Sequence, residues 1–441
     1  VEALLRKRVV IMGAAGRDFH NFNTLYRNDA SREVVAFTAA QIPFIEKRIY
    51  PPALSGPLYP EGIPIYPEQE LERLVKEYGI KEVVFSYSDV SYEYVMHRAA
   101  LSASLGADFI LPSAENSMLK SARPVISVCA VRTGCGKSGI SRYIGRLLLK
   151  TGIEPVVIRH PMPYGDLVSQ MVQRFATLDD LARHKCTIEE MEEYEPHIAA
   201  GLVVYAGVDY EAVLKEAEKE GRIIIWDGGN NDLPFIWPDL EIVVTDPLRP
   251  GDELLYYPGE TNLRRSDVAV INKANNADGA SIRIVMGNIR KVNGRAAIVK
   301  TASAVRTDKD VKGKRVLVIE DGPTLTHGGM SFGAGVVAAR TFGAVPVDPR
   351  PYAVGSIKEV FTKYPHLGAL LPAMGYSDFQ KRELEETINK TPADMVLVAT
   401  PTDLTRVLKI DKPSARVSYE IEEMESPGLK SIIEGFVKGL K

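Results

Sequence analysis

What this chain lacks narrows its class before any motif is read. Only three cysteines, Cys129, Cys135 and Cys186, occur in 441 residues. They are too few for a disulfide framework and two of them flank or sit inside one glycine-containing turn, so a reducing cytoplasm is expected. Cys135 reads as a space-filling loop residue rather than a nucleophile. The net charge is only −3; no global field then favours nucleic acid or an anionic membrane, and an anionic substrate must be held by local basic groups. No apolar run reaches the roughly 18 residues of a membrane span. The basic start Arg6-Lys7-Arg8 leads into a short strand rather than the apolar core of a signal peptide. There is no His/Cys-rich tract, which counts against metal delivery, and no clear repeat. Hydrophobic content of 45% and charged content of 25% are those of an ordinary soluble globular protein, and the length suggests two or three domains.

Against this unremarkable background, Pro124-Val-Ile-Ser-Val-Cys-Ala-Val-Arg-Thr-Gly-Cys-Gly-Lys-Ser138 stands out. It reads as a hydrophobic strand, a glycine-containing turn and a helix over about 139–150, the layout of a phosphate-binding loop. Backbone N–H groups of Thr133, Gly134, Cys135 and Gly136 would face phosphate oxygens, Lys137 would reach the β- and γ-phosphates, and Ser138 would ligate Mg²⁺. Val131 stands where the full pattern has glycine.

Alternation of apolar strands with helical stretches predicts α/β architecture: a central P-loop NTPase parallel sheet flanked by Rossmann-like α/β domains. The expected domains are 1–122, 123–303 and 304–441. In the first, strands at 9–12, 34–38 and 82–86 alternate with helices at 68–78 and 92–105. Residues 50–60 form a Pro-rich loop. In the second, strands are expected at 125–130, 155–159, 222–226, 241–245 and 268–272. A helical stretch over 169–195 ends in Glu189-Glu-Met-Glu-Glu193, read as a solvated face.

Several residues at strand ends carry candidate chemistry. Asp227, closing an apolar strand, would hold Mg²⁺ opposite Ser138, and Gly228-Gly229 would let backbone approach the γ-phosphate. Asn230, Asn231 and Asp232 could orient a nucleophile. Arg159 and His160 could bind an anionic acceptor, with Asp166 as metal ligand or base. Arg132 either stabilises transition-state charge or is a solvated or carboxylate-paired arginine. Asn272, Lys273 and Asn275 match most of the N-K-x-D base-reading pattern of P-loop GTPases. An amide at position 275 suits adenine better than guanine, so ATP is favoured over GTP, with Asp278 a possible guanine reader. In the first domain, Gly13-Ala-Ala-Gly16 falls short of a dinucleotide fingerprint, but Arg17 and His20 could bind phosphate or carboxylate. The loop 321–335, with Thr324, Thr326 and His327, is another candidate anion cradle.

The segment from Thr245 through Gly259 to Arg264-Arg265 locally resembles the lipid A 4′-kinases, which suggests phosphoryl transfer. More broadly, Val10-Ile-Met-Gly-Ala-Ala-Gly-Arg-Asp-Phe-His-Asn-Phe-Asn23, the loop Tyr50-Pro-Pro-Ala-Leu-Ser-Gly-Pro-Leu-Tyr-Pro60 and Arg132-Thr-Gly-Cys-Gly-Lys-Ser138 together resemble the cyclic 2,3-diphosphoglycerate synthetases and related GTPases. That resemblance covers most of the chain. It implies ATP-driven formation of an intramolecular phosphoanhydride, a cytoplasmic homodimer, and a loop role for Lys137 and Ser138. The expected function is ATP- and Mg²⁺-dependent phosphoryl transfer to a small anionic metabolite. The catalytic set would be Lys137, Arg132, Asp227, Arg159, His160 and Asp166. The alternative is a GTP-dependent switch or chaperone acting on a protein partner.

Overall fold

Runs of Val and Ile without polar alternation must be covered on both faces, and they form the centres of two sheets. The computed structural model describes residues 6–440 apart from 41–44, 46–47, 162–164, 230–231, 327 and 375–376. The first sheet has the order Ile49–Tyr50, Ile63–Pro67, Arg32–Ala39, Lys7–Met12, Glu82–Phe85, Asp108–Ile110. Its pairings are parallel except the first, which is antiparallel. This is a Rossmann-type layer whose C-terminal strand ends meet the turn 13–18 and the loop 86–89.

The second sheet is longer. Its central part runs Val203–Ala206, Pro155–Arg159, Ile223–Asp227, Val125–Ala130, Leu240–Thr245, Val268–Ile271, all parallel. The strand Val125–Ala130 is buried along its whole length and feeds the helix Lys137–Lys150. Ala297–Thr307 then acts as a joint. Its first half pairs in parallel with Val268–Ile271, and its second half pairs antiparallel with Ser414–Glu423. Beyond it follow Met395–Val398 and Arg315–Glu320. The boundary expected at 303/304 therefore falls inside a continuous strand, and one sheet serves both the second and third segments. The last helix, Leu429–Gly439, returns to the central layer, where Leu429, Ile433 and Val437 join the core around the phosphate loop.

The stretch 169–195 differs from expectation. It contains the strand Gln173–Phe175 and two helices, Leu178–Arg183 and Ile188–Ala199. Thr177 with Asp180 and Thr187 with Glu190 form capping boxes that start the helices afresh. The acidic run is not a solvated face: Glu189, Glu190, Glu192 and Glu195 are all buried.

The Rossmann layer is locked onto the central one. Val90–Ser91 pairs antiparallel with Tyr256–Tyr257, Arg27 reaches Asp209 at 3.1 Å, and Leu167 and Val208 join the first domain's core. The His20 ring stacks on Phe235 with centroids 4.3 Å apart. Phe235 also packs against Tyr210 and Trp226. Phe235→Ala should cost about 3–5 kcal/mol, read as a lowered denaturant midpoint at unchanged slope.

Candidate functional site

A phosphate loop needs backbone that L-side chains rarely adopt. Gly134 and Gly136 have φ of +84° and +94°, and a Cβ on Gly136 would collide with the Asn272 amide. That amide donates to Cys135 O at 2.9 Å, while its oxygen accepts from Thr301 Oγ1 at 3.0 Å. Lys273 Nζ binds Gly134 O at 2.5 Å and Asp246 Oδ2 at 2.8 Å. Asn272 and Lys273 thus brace the loop from beneath, and Lys273 also reaches the pocket wall. Val131 is buried in the core, with its N–H on Val244 O.

At the loop's mouth lies a buried charge centre. Asp227, with no exposed surface, receives Lys137 Nζ on Oδ1 at 2.6 Å, and Arg159 Nη1 and His197 Nε2 on Oδ2 at 2.8 and 2.9 Å. Burial alone would push its carboxyl up, but Arg159, Lys137 and His197 outweigh that and hold it well below the usual range. Lys137 is drawn down to about 8 by burial and by Arg159, against the pull of Asp227. Arg159 also donates to Ser138 Oγ at 3.2 Å and pairs with Glu193.

The helix Ile188–Ala199 supplies one side of this centre. Glu189, Glu193 and His197 recur every four residues and so share a face. Glu189 lines the pocket, Glu193 holds Arg159, and His197 holds Asp227. Glu192 also lines the pocket. Its carboxyl is pushed well above the ordinary range by burial and by Asp321, although the Thr400 hydroxyl donates to it.

One cleft unites these groups with the other two segments. Its wall includes Ala14, Arg17 and Ser88 at the end of the Rossmann sheet. It also includes Glu320, Asp321 and Phe332 from the C-terminal segment.

No protein-family model matches the chain. The arginine synthetase ArcE of Thermococcus kodakarensis is 60% identical over 436 residues, covering 98% of this chain and 97% of the relative. The chain belongs to the arginine synthetase ArcE family. A cyclic 2,3-diphosphoglycerate synthetase of Pyrococcus furiosus is 22% identical over 286 residues, covering 56% of this chain and 63% of the relative. Among solved structures, LpxK of Aquifex aeolicus in complex with ATP aligns with a TM-score of 0.43 and 14% identity, over 83% of this chain and 99% of that one.

In this ArcE-family chain the structure gathers Thr133, Gly134, Gly136, Lys137, Ser138, Arg159, His160 and Lys273 on one cleft, with Asp227 directly beneath Lys137. Other expected residues are employed differently. Arg132 lies on the cleft wall, but its guanidinium is committed to Asp89 and Asp252, each at 2.6 Å, and packs over the Tyr256 ring. It is the carboxylate-paired arginine of the two readings. Cys135 meets Asn272 through its backbone; its buried thiol accepts from Arg249 Nη2 at 3.6 Å and is pushed up to about 11 by burial. Asp166 is exposed and off the cleft, capping a turn through Ser169 N at 2.8 Å. Asn275 is exposed and accepts from Ser303 N at 3.0 Å. Asp278 caps the helix Gly279–Val292. Neither Asn275 nor Asp278 lines the cleft.

The remaining corrections concern packing. A Cβ on Gly229 would strike the His160 ring, so packing by itself demands glycine there. The candidate anion cradle near Gly333 already holds a carboxylate: Glu320 Oε1 accepts from Gly333 N and Val336 N. His20 is an interdomain packing residue, bonded to Ser117 O. Asn230, Asn231 and His327 lie outside the described residues. Sequence reasoning missed Glu189, Glu193 and His197; their four-residue spacing was the available signal.

Burial first, then the charges of Arg159 and Lys137, lower His160 to about 3. Burial likewise lowers His20 and His197 to about 4. An unfolded chain takes up these protons near about pH 6.5. Each histidine therefore contributes stability above that pH and loses it as pH falls toward its folded value. In NMR titrations the His160 ring signals should stay fixed between pH 8 and 5.

Proposed function

We propose that this chain is an ATP- and Mg²⁺-dependent synthetase that forms arginine by phosphoryl transfer. The observation that carries this reading is the 60% identity to an arginine synthetase along nearly the whole chain. It is supported by a phosphate loop whose lysine sits on a buried carboxylate. Arginine differs from its ureido counterpart, citrulline, by one nitrogen in place of oxygen. The ureido oxygen is a poor leaving group until it carries phosphate. In the proposed sequence that oxygen attacks the γ-phosphorus of ATP and the bond to the β-phosphate oxygen breaks, releasing ADP. Ammonia then attacks the activated carbon and the C–O bond breaks, releasing phosphate.

The residues fit these demands. Lys137 and the loop N–H groups neutralise the β- and γ-phosphates. Arg159, fixed between Asp227 and Glu193, presents its guanidinium beside Ser138 for the phosphoryl group in flight. The oxygen donors Ser138 and Asp227 suit Mg²⁺, with Oδ1 of Asp227 available once Lys137 turns to a phosphate. When bound, the ion neutralises charge between the β- and γ-phosphates. Glu192, on the cleft wall, offers a carboxyl oxygen that can accept from an N–H of ammonia.

The choice of product also has a structural argument. Glu189, Glu192, Asp232 and Asp321 line the same cleft. Chiefly acceptors, they offer little to the second phosphate of a doubly phosphorylated three-carbon acid, which weighs against cyclic 2,3-diphosphoglycerate. They accommodate ammonium and an amino acid.

With ATP, Mg²⁺, citrulline and ammonia, the protein should yield arginine and ADP in equal amounts. Lys137→Met should lower the rate by about 10³-fold or more while keeping the far-UV circular dichroism of the parent. ADP release that depends on 2,3-diphosphoglycerate, with no arginine formed, would overturn the reading.

A further inference from the structure

Two buried ionisable groups on the cleft wall are not used by the chemistry at the phosphate loop. The first is Arg17, which opens the short helix Arg17–Asn21 after the strand Lys7–Met12 and is 3% exposed. Its Nη2 makes a long 3.4 Å contact with Pro112 O, and its guanidinium stands over the Tyr257 ring at 5.4 Å. Its buried Nη1 has no hydrogen-bond partner among the described residues. The second is Asp232, 7% exposed. Its backbone is fixed, with its N–H on Gly229 O at 2.9 Å and its carbonyl accepting from Asn262 Nδ2 at 3.2 Å. Its buried Oδ1 likewise has no partner among the described residues.

Burying a guanidinium nitrogen or a carboxylate oxygen without a partner is costly. Having one of each on the wall of a single cleft is a specific arrangement, because it complements a zwitterion. Burial pushes the Asp232 carboxyl up to about 7, while Arg17, a hydrogen bond from Ser88 and Lys137 pull it down and Asp18 pushes it up. Asp232 thus feels both Arg17 and the phosphate-loop lysine. A carboxylate there is of no use to nucleotide phosphates, which it repels. Ala14, Ala15, Ala39 and Ala40 line the same wall and leave room for an aliphatic chain.

We propose that Arg17 and Asp232 form the head-group subsite for an α-amino acid, Arg17 binding its α-carboxylate and Asp232 its α-ammonium, so that the side chain extends toward Lys137 and Ser138. The subsite joins two layers: the Rossmann layer contributes Arg17, and the central layer contributes Asp232 together with the activating groups. A planar guanidinium is well matched to a carboxylate, which it can bind through two N–H groups. The assignment rests on the amino-acid reading of the cleft and specifies which atoms recognise the substrate.

Calorimetry on the full chain tests it with L-arginine, L-citrulline, their α-amides and their Nα-acetyl forms. The parent should bind each free amino acid about 100-fold more tightly than either blocked form. Arg17→Gln should lose the discrimination against the α-amide, and Asp232→Asn that against the Nα-acetyl form. In both variants the ATP affinity should stay within about threefold of the parent. The parent's own discrimination keeps the test decisive if a variant fails to fold. Equal binding of free and blocked forms by the parent would overturn the subsite, as would variants that lose ATP and keep the amino acid. If another α-amino acid shows the expected discrimination while arginine and citrulline do not bind, the subsite stands and only the arginine reading falls.

Discussion

The site depends on one buried negative charge. A carboxylate with no exposed surface is strongly disfavoured unless it is surrounded by donors. Asp227 meets that condition with Lys137, Arg159 and His197, drawn from the phosphate-loop helix, the neighbouring strand end and the helix Ile188–Ala199. Two of the partners have a further anchor or surface to address: Arg159 has Glu193 and Ser138, and Lys137 opens onto the cleft. Removing Asp227 would leave two buried cations facing each other, so the same residue that positions Lys137 and Arg159 also makes their juxtaposition tolerable.

A second constraint is directional. In parallel sheets the loops that carry ligand-binding groups gather at the C-terminal strand ends. Three such edges meet here: Met12 and Phe85 of the Rossmann layer, Ala130, Arg159 and Asp227 of the central layer, and Glu320 and Val398 of the C-terminal layer all lead into loops on one cleft. The joint strand Ala297–Thr307 fixes the C-terminal layer relative to the phosphate loop. The pairing of Val90–Ser91 with Tyr256–Tyr257 does the same for the Rossmann layer. No layer can shift without dragging the cleft wall with it.

Much of this was legible in the chain itself. The strand 125–130, the glycines at 134 and 136, and the strand-end Asp227 carry short-range signals, because backbone geometry and burial dictate their residue types locally. Arg159 and His160 were readable for the same reason. What was not legible depended on tertiary contact. Glu189 to Glu193 look like any solvated helix face until Arg159 is known to sit opposite. Asn275 and Asp166 have the right residue types for their expected roles, and only the structure shows their side chains used by Ser303 and Ser169. Arg132 could be read as either of two things, and Asp89 and Asp252, 43 and 120 residues away, decide between them.

The cleft distributes its charges unevenly. Its cations near the phosphate loop, Lys137, Arg142, Arg159 and Lys273, come from the central layer, whereas Glu320 and Asp321 come from the C-terminal layer, with Glu189 and Glu192 on the adjoining helix. A triphosphate entering among the acids would be repelled, and an ammonium entering beside the free face of Lys137 would be repelled as well. Cations and acids thus face one cleft from different elements. The acidic helix is thus as much a part of the site as the glycine turn opposite it.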